Sequence, residues 1–299
     1  MPALAALDEA SFDHCLAVSG HSPTALRMVL GQLLRQIRKA AGVDADVAGR
    51  HIGGSESKLS RLERGLVGAK ESDVVALLTL YGVHDEGDLG RFRELVALSQ
   101  QPGWWHRFDE VLPGWFGKFI GLQEAADVIR TYEVTFVPGL LQTSDYARTV
   151  IRKGNPLATE EEINDRVELR RIRQTVLTRS EPPRLWALLD EGVLHRPVGG
   201  EQIMRAQIQH LIDMADAEFV TLQIAPFTAS WATPGFPLTH LRFAYSGLPD
   251  IVYIEQLRDA QYLDKAVDTE HYRSVLDTLA AQALDPYQTR RLLQDALRS

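Results

Sequence analysis

Residues 44–65 read DADVAGRHIGGSESKLSRLERG, and the positions of the glycines constrain the fold here. Asp44 can cap a short helix that the Gly53-Gly54 pair must end, because paired glycines break helical periodicity. Ser55 can start another helix, and Gly65 supplies the left-handed residue that stops it. The spacing therefore predicts two short helices joined by a tight turn.

The second of these helices separates an apolar face from a polar face. Leu59 and Leu62 lie on one side at helical spacing, which predicts that this side is buried. A helix presented in this way fits the major groove of DNA, where side chains from its first two turns can reach base edges. The outward side chains would be those of Ser55, Glu56, Ser57, Lys58, Arg61 and Arg64.

More helices are predicted on both sides of this pair. Ser22-Pro23 is typical of a helix start, and the apolar spacing that follows predicts a helix to about Gly42. Helices over 71–82 and 86–100 follow, and Gln101-Pro102-Gly103 ends the helical periodicity. We therefore predict an N-terminal arm over 1–21, an all-α five-helix helix-turn-helix domain over 22–101, and a second domain over 102–299.

The charge of the chain is unevenly distributed. The net charge of the 299 residues is −8, but the segment from Thr24 to Lys70 has nine Lys or Arg and four Asp or Glu, a net +5. The rest of the chain therefore carries −13. Only the N-terminal domain is predicted to attract phosphate.

The second domain is predicted to be α+β with an antiparallel sheet. A Thr159/Glu162 capping box precedes a long arginine-rich helix that runs to about residue 178. The other helices are predicted over 122–133, 144–153, 201–216, 268–283 and 287–297. Strands are predicted over 185–189, 220–224, 241–245 and 251–254, and the last three follow one another as a meander.

Aromatic residues near the loop Val137-Pro138-Gly139-Leu140-Leu141 could line a pocket for a small effector or a partner protein. Core packing explains the same aromatic residues equally well. The helically spaced Arg166, Arg170 and Arg173 could receive an anion, or Glu162, Asp165 and Glu168 could neutralise them on a solvated surface. The candidate pocket residues are Trp105, Tyr132, Gln142, Tyr146, Arg170 and Glu191.

The sequence gives little support for catalysis, a metal or a cofactor. Asp190 and Glu191 are adjacent at the end of a predicted strand, where neighbouring side chains point to opposite faces unless the chain turns there. Glu191 and His195 at helical spacing offer only two metal ligands. His14, Cys15 and His21 of the arm could also serve as metal ligands, but an inert thiol explains the lone cysteine equally simply. We expect no enzyme, no cofactor and no metal.

The cellular location is predicted from what the chain lacks. No apolar run approaches the ~20 residues that a membrane span needs, and the N-terminus has no basic segment typical of a secretory signal. Cys15 is the single cysteine, which excludes an internal disulfide. We expect a cytoplasmic protein.

The first predicted helix together with SESKLSRLERG resembles the N-terminal domain of the Cro and phage-repressor (Xre) type of helix-turn-helix regulator. The resemblance implies that Glu56, Ser57 and Arg61 approach bases. It also implies that Arg38 and Glu63 form a structural ion pair. The residues expected near phosphates of a double-stranded operator are Ser55, Lys58, Arg64 and Arg50. Ala45 stands where that family usually has glutamine, which weakens the expected phosphate contact at this helix start.

Residues 104–295 resemble the C-terminal domain, of unsettled biochemical role, of Xre-type regulators from filamentous actinobacteria, including WhiJ-like developmental regulators. The motifs include YEVTFVPGLLQTSDYAR, ELRRIRQ and LLDEGVLHRPVGG. The resemblance implies a transcriptional regulator, expected to act as a homodimer at two half-sites, whose second domain senses a small ligand or a partner. The alternative is an antitoxin-like module that mainly binds a small partner protein, with DNA binding secondary.

Overall fold

The computed structural model describes residues 22–228, 234–245 and 247–298. The predicted arm over 1–21, with His14, Cys15 and His21, lies outside these residues. The chain divides into two units. The described residues up to His106, together with those of 243–248, form the first unit, and the remaining residues form the second.

The first unit contains five α-helices within residues 22–106, in the predicted order. They are α1 Pro23–Ala40, α2 Ala45–His51, α3 Glu56–Glu63, α4 Glu71–Leu80 and α5 Glu86–Ser99. The Ser22 side chain accepts a hydrogen bond from the Ala25 amide, and Pro23 occupies the first turn of α1. Gly65 has φ 64° and follows α3, as its spacing predicted.

Two glycines allow α3 to approach its neighbours at backbone distance. A Cβ on Gly31 of α1 would lie 2.5 Å from the carbonyl oxygens of Leu62 and Glu63. A Cβ on Gly49 of α2 would lie 2.6 Å from the carbonyl oxygen of Ser55. The helix-turn-helix therefore depends on both glycines to place α3 against α1 and α2.

The second unit contains a six-stranded sheet and the remaining α-helices. Its helices are α6 Phe116–Ala125, α7 Ser144–Gly154, α8 Glu160–Gln174, α9 Glu201–Met214, α10 Ala266–Gln282 and α11 Pro286–Arg298. Its strands are β1 Val128–Glu133, β2 Arg184–Asp190, β3 Val220–Ala225, β4 Leu238–Arg242, β5 Ile251–Glu255 and β6 Ala260–Leu263. The strand order is β3-β2-β1-β4-β5-β6.

The sheet is mixed, so the predicted antiparallel arrangement holds for only part of it. β1, β2 and β3 are mutually parallel, whereas β4, β5 and β6 continue the sheet in antiparallel fashion from β1. Helix α9 connects β2 to β3, and a connection of that length is what parallel neighbours require. β3 therefore lies at one edge of the sheet and does not pair with β4.

Two further predictions of secondary structure need correction, and one strand was not predicted. The predicted helix over 122–133 ends at Ala125, and residues 128–133 form β1. This segment becomes a strand because it is central and pairs with β2 on one side and β4 on the other. The strand predicted over 241–245 is β4, which ends at Arg242, and β6 was missed.

Alternate residues of β1 belong to two different environments. Tyr132 lies on the face that packs against α10, in a core with Leu188, Val252 and Leu276. Thr131 and Glu133 belong to the other face, since successive side chains of a strand point to opposite sides. This second face of the sheet lines a cavity.

We expect Gly31→Ala to destabilise the first unit by about 1–3 kcal/mol, since its methyl group overlaps the carbonyls of α3. Gly90→Ala is the matched control, because Gly90 lies in α5 and nothing lies within 4 Å of its added Cβ. That control should be neutral or stabilising by up to ~1 kcal/mol. Amide hydrogen exchange of α1 and α3 in the full chain measures both effects. Equal protection in the two variants would contradict the close-approach argument.

Candidate nucleic-acid interface and ligand cavity

Helix α3 presents a polar outward face supported by a buried inner face. Leu59 is 0% exposed and Leu62 is 3% exposed, as their spacing predicted. The residues predicted to contact DNA from this helix and its cap are exposed, and they are Ser55, Glu56, Ser57, Lys58, Arg61 and Arg64. Burial of one side leaves the other side free to enter a groove.

The start of α3 is capped by Ser55. Its hydroxyl oxygen accepts a hydrogen bond from the Lys58 amide at 3.3 Å. Glu56 is the first residue of the helix, where the positive end of the helix dipole favours a carboxylate. Both side chains therefore stabilise the helix start, and both remain exposed there.

The predicted phosphate contacts include two basic residues that already have partners. The Lys58 ammonium lies 2.9 Å from the Asp73 carboxylate and 3.1 Å from the Ile52 carbonyl oxygen. Arg50 forms an exposed pair with Asp46 at 2.6 Å. Arg61, by contrast, has no hydrogen bond or ion pair with any residue that the structure describes. It is the outward arginine of α3 most available to a ligand.

The ion pair that the resemblance implied is present beneath α3. Arg38 Nε donates to Glu63 Oε1 at 2.6 Å, and Arg38 Nη2 donates to Oε2 at 3.1 Å. The side chains are only 11% and 5% exposed, respectively. Arg38 Nη1 also donates to the Val43 carbonyl oxygen at 2.9 Å, so one guanidinium joins α3 to the loop before α2. The bidentate contact with Glu63 raises the pKa of Arg38.

Arg38→Met should cost about 3–5 kcal/mol of stability in the first unit, because it leaves the Glu63 carboxylate buried without its partner. The double variant Arg38→Met/Glu63→Met should lose less than the single variant, since no buried charge remains. Hydrogen exchange of α3 in the full chain compares the two variants. A double variant that loses as much stability as Arg38→Met and Glu63→Met combined would show that the carboxylate and the guanidinium act independently.

The second unit contains a cavity of about 400 Å³ on the face of the sheet opposite the Tyr132 core. β1 contributes Ile129, Thr131 and Glu133, and β5 contributes Tyr253 and Glu255. Helix α8 contributes Arg170 and Arg173, and the loop before α7 supplies much of the remaining wall. The cavity is thus lined by sheet, helix and loop within one unit.

Arg170 and Arg173 line this cavity, and the groups that contact their positive charges directly are neutral. Arg170 Nη1 donates to Gln142 Oε1, and Arg173 donates from Nε and Nη2 to Gln123 Oε1 at 3.2 and 2.8 Å. The Arg173 guanidinium also lies 4.7 Å above the Phe116 ring and is 9% exposed. Burial lowers the pKa of Arg170 and lowers that of Arg173 to about 10.

Two glutamates line the same cavity at the ends of their strands. Thr131, Thr239 and Tyr253 form one row across β1, β4 and β5. Glu133 and Glu255, two residues further along, therefore belong to the next row with β4 between them, about 10 Å apart. Burial, reinforced by Glu255, raises the pKa of Glu133 to about 8, although Arg170 opposes the shift. Tyr253 Oη donates to Glu255 Oε2 at 3.1 Å.

The structure brings together two of the six predicted pocket residues. Gln142 and Arg170 line the cavity and contact each other. Trp105 belongs to the first unit, and Tyr132 lies on the opposite face of the sheet. Tyr146 is buried behind the loop, where its hydroxyl accepts from the Val137 amide at 3.2 Å. Glu191 accepts instead from the Phe227 amide at 2.7 Å.

The acidic cavity residues Glu133 and Glu255 were missed by the sequence analysis. The signal for Glu133 was the run of β-forming residues in Val128–Glu133. Once this segment is recognised as a strand, its side chains alternate between the two faces of the sheet. The alternative in which Glu162, Asp165 and Glu168 neutralise the arginines of α8 does not hold for Arg170 and Arg173, which have no ion pair with these acids. Glu162 closes the capping box, and Glu168 pairs with Arg171 at 2.7 Å.

The adjacent carboxylates of Asp190 and Glu191 each have a structural partner, and Asp190 caps the short turn that follows β2. Asp190 Oδ1 accepts from the Gly192 amide at 2.8 Å. His195 lies 3.4 Å from Glu191 Oε1 and stacks on Phe227. Among the residues that the structure describes, no group of three or more His, Cys, Asp or Glu side chains is arranged to hold a metal ion.

Comparison with protein families identifies both parts of the chain. A model described as "Domain of unknown function (DUF5753)" matches residues 116–295, which is more than half of the chain. The chain belongs to the DUF5753 family. A model described as "Helix-turn-helix domain" matches residues 29–91, from within α1 to within α5, which indicates a DNA-binding regulator. Searches of curated proteins and of solved structures find no match.

The DUF5753 match includes every strand of the sheet and all of the cavity residues described above. The helix-turn-helix match includes α2, α3 and both members of the Arg38–Glu63 pair. None of the helices in the described ranges is long and apolar enough to cross a membrane.

Glu133→Gln should change the pH dependence of stability of the DUF5753 domain. The raised pKa of Glu133 means that the folded protein holds a proton there that the unfolded chain releases above about pH 4.5. The parent should therefore lose stability as the pH rises towards 8, by about 1–3 kcal/mol at this site, and the variant should not. Urea unfolding at pH 5.5 and pH 9 compares them.

The exposed Glu161→Gln in the first turn of α8 is the control for this experiment. The parent and the control should show the same change of unfolding free energy between the two pH values. A Glu133→Gln variant that follows the parent curve would contradict the burial of a protonated carboxyl group.

Proposed function

We propose that this protein is a sequence-specific transcriptional regulator of the Xre type that binds a double-stranded operator as a homodimer. Its DUF5753 domain senses a small ligand or a partner protein. The resemblance of the second domain to regulators of filamentous actinobacteria supports this division of roles. The proposal assigns no catalytic step to either unit, and it places the protein in the cytoplasm, on the nucleoid when bound to DNA.

The observation that carries the proposal is the two-sided character of α3. The inner side is fixed by Leu59, Leu62 and the buried carboxylate of Glu63, whereas the outer side presents exposed polar and basic groups. Base recognition needs such side chains on a helix held rigidly from behind. In the proposal Glu56, Ser57 and Arg61 approach base edges, and Ser55, Arg50, Lys58 and Arg64 approach phosphates.

The direct test is titration of the purified full chain into a labelled duplex from upstream of its own gene. A scrambled duplex of equal length and two salt concentrations complete the design. We expect a preference of about 10³-fold or more for the genuine sequence, together with a steep salt dependence. Equal and weak binding to both duplexes would count against sequence-specific recognition.

Arg61→Ala should weaken binding to the operator by about 1–3 kcal/mol and relax the preference at one base pair. Arg93→Ala is the matched control, since Arg93 is a half-exposed arginine of α5 whose partners are Glu71 and Glu86. Both variants remove one positive charge from the same unit. If the two variants lose equal affinity for operator and scrambled duplexes, Arg61 is not a base-reading residue.

An antitoxin-like module that mainly holds a small partner protein is the second candidate. The net charge of −13 outside Thr24–Lys70 favours this alternative, because an acidic surface suits a basic partner. The mass of the complex purified from its native source distinguishes the two functions. A stoichiometric small protein without operator preference would favour the second candidate, and a homodimer with operator preference would favour the first.

A further inference from the structure

The cavity of the DUF5753 domain contains two guanidinium groups, of half-buried Arg170 and buried Arg173, that have no direct carboxylate partner among the described residues. No carboxylate oxygen of the described residues lies within 4 Å of Arg170 or Arg173, and their hydrogen-bond acceptors are the neutral amide oxygens of Gln142 and Gln123. A guanidinium has five N–H donors, so these contacts use only part of its capacity. An anion bound between the two groups would supply the missing charge.

The loop around Gly139 lies opposite this arginine pair. Hydrogen bonds hold the loop in place, and Gly139 has no side chain that would fill the space beside the guanidinium groups. A Cβ on Gly139 would lie 3.8 Å from both Arg170 Nε and Arg173 Nη1. Gln174 Nε2 donates to the carbonyl oxygens of Gly139 and Gln142 at 2.9 and 2.7 Å. Gln207 Nε2 donates to the Leu141 carbonyl oxygen at 2.7 Å, which fixes the loop from its other side. The guanidinium groups thus face a rigid, preformed wall.

The glutamates of the cavity limit the charge of that anion. Glu133 and Glu255 line the same space, and a doubly charged phosphate would be repelled by them more strongly than a singly charged carboxylate. The raised pKa of Glu133 leaves it largely protonated near neutral pH, so the arginine pair and Glu255 together carry a net +1. One negative charge balances that environment.

Much of the remaining cavity wall is aromatic or aliphatic, although threonines also line it. Phe119 and Tyr253 stack with their ring centroids 4.0 Å apart and 19° between their planes. Phe116, Ile129, Phe136 and Leu140 add further apolar surface. A volume of about 400 Å³ is at the small end of the range for ligand sites, which suits a molecule built on one ring.

We propose that this cavity binds a small aromatic monocarboxylic acid, with its carboxylate between Arg170 and Arg173 and its ring against the Phe119–Tyr253 stack. The proposal rests on the function proposed above, because it names the chemical class of ligand that the DUF5753 domain senses. It requires no change in the fold, since the cavity and the loop that faces the arginines are already formed.

Isothermal titration of the full chain tests the class of ligand. The probes are phenylacetate, benzoate and indole-3-carboxylate, each compared with its neutral amide, and phenyl phosphate as the dianion. At least one carboxylate should bind ten-fold or more tightly than its amide and more tightly than phenyl phosphate. No carboxylate binding, equal binding of acid and amide, or tighter binding of the phosphate would overturn the proposal.

Substitutions locate the binding site. Arg170→Met should remove the preference for acid over amide, whereas Arg171→Met should preserve it. Arg171 is the next residue of α8, but its side chain is 60% exposed and pairs with Glu168. Preference retained in Arg170→Met, or lost equally in Arg171→Met, would place the site elsewhere.

A second variant is expected to bind the carboxylate more tightly, and misfolding cannot produce tighter binding. Glu255→Gln removes a negative charge from an exposed position at the end of β5 and should tighten carboxylate binding several-fold. Unchanged or weaker carboxylate binding in a folded Glu255→Gln protein would overturn the proposed charge balance.

Operator binding is measured separately, with and without the carboxylate. Carboxylate binding that leaves operator affinity unchanged supports the cavity proposal and removes the sensing role. Operator preference in a protein that binds none of the carboxylates overturns the cavity proposal and leaves the DNA-binding function standing.

Discussion

A charge removed from water needs a compensating partner, and the two units of this chain meet that constraint in opposite ways. In the first unit, Arg38 and Glu63 form a bidentate contact with both side chains almost fully buried. Because Glu63 is the last residue of α3, the contact fixes the end of the helix that carries the predicted base-reading residues. Compensation within the protein produces a rigid surface there.

In the second unit the buried charges are left partly uncompensated. Arg170 and Arg173 face neutral amide oxygens and aromatic rings, while Glu133 is kept largely protonated by its surroundings. Such an arrangement reduces stability relative to a paired core, and proteins retain it mainly at functional sites. The contrast between the two units is consistent with one part that presents fixed groups and another part that takes up a ligand.

The sequence was sufficient to predict the helices of the first unit, but it predicted the helices and strands of the second unit only in part. Local signals such as Ser22-Pro23, the Gly53-Gly54 pair and Gly65 determine helix starts and ends, so the five helices were predictable. The identity of β1 was not local, because residues 128–133 become a strand through pairing with β2 and β4. Misassignment of that strand also concealed Glu133, whose place in the cavity depends on the alternation of β1.

The same dependence on contacts that are distant in sequence explains why only two of the six predicted pocket residues line the cavity. Gln142 and Arg170 were found from local patterns, namely the loop motif beside Gln142 and the helical spacing of the arginines, although α7 lies between them in the chain. Tyr132 was predicted to line the pocket because it is an aromatic residue close in sequence to the loop, whereas alternation along β1 turns this side chain to the α10 face. Contacts between strands that are distant in sequence, such as β1 with β4 and β5, cannot be read from either segment alone.

The helix-turn-helix surface has less free positive charge than its composition suggests. Lys58 and Arg50 already pair with Asp73 and Asp46, and exposed pairs of this kind contribute at most about 1 kcal/mol. Phosphates can displace these carboxylates, but each such exchange contributes less binding free energy than a phosphate contact made by an unpaired cation. A single α3 that depends largely on Arg61 would therefore bind DNA weakly. Two copies on adjacent half-sites would recover the affinity, and this is the physical argument for the proposed dimer.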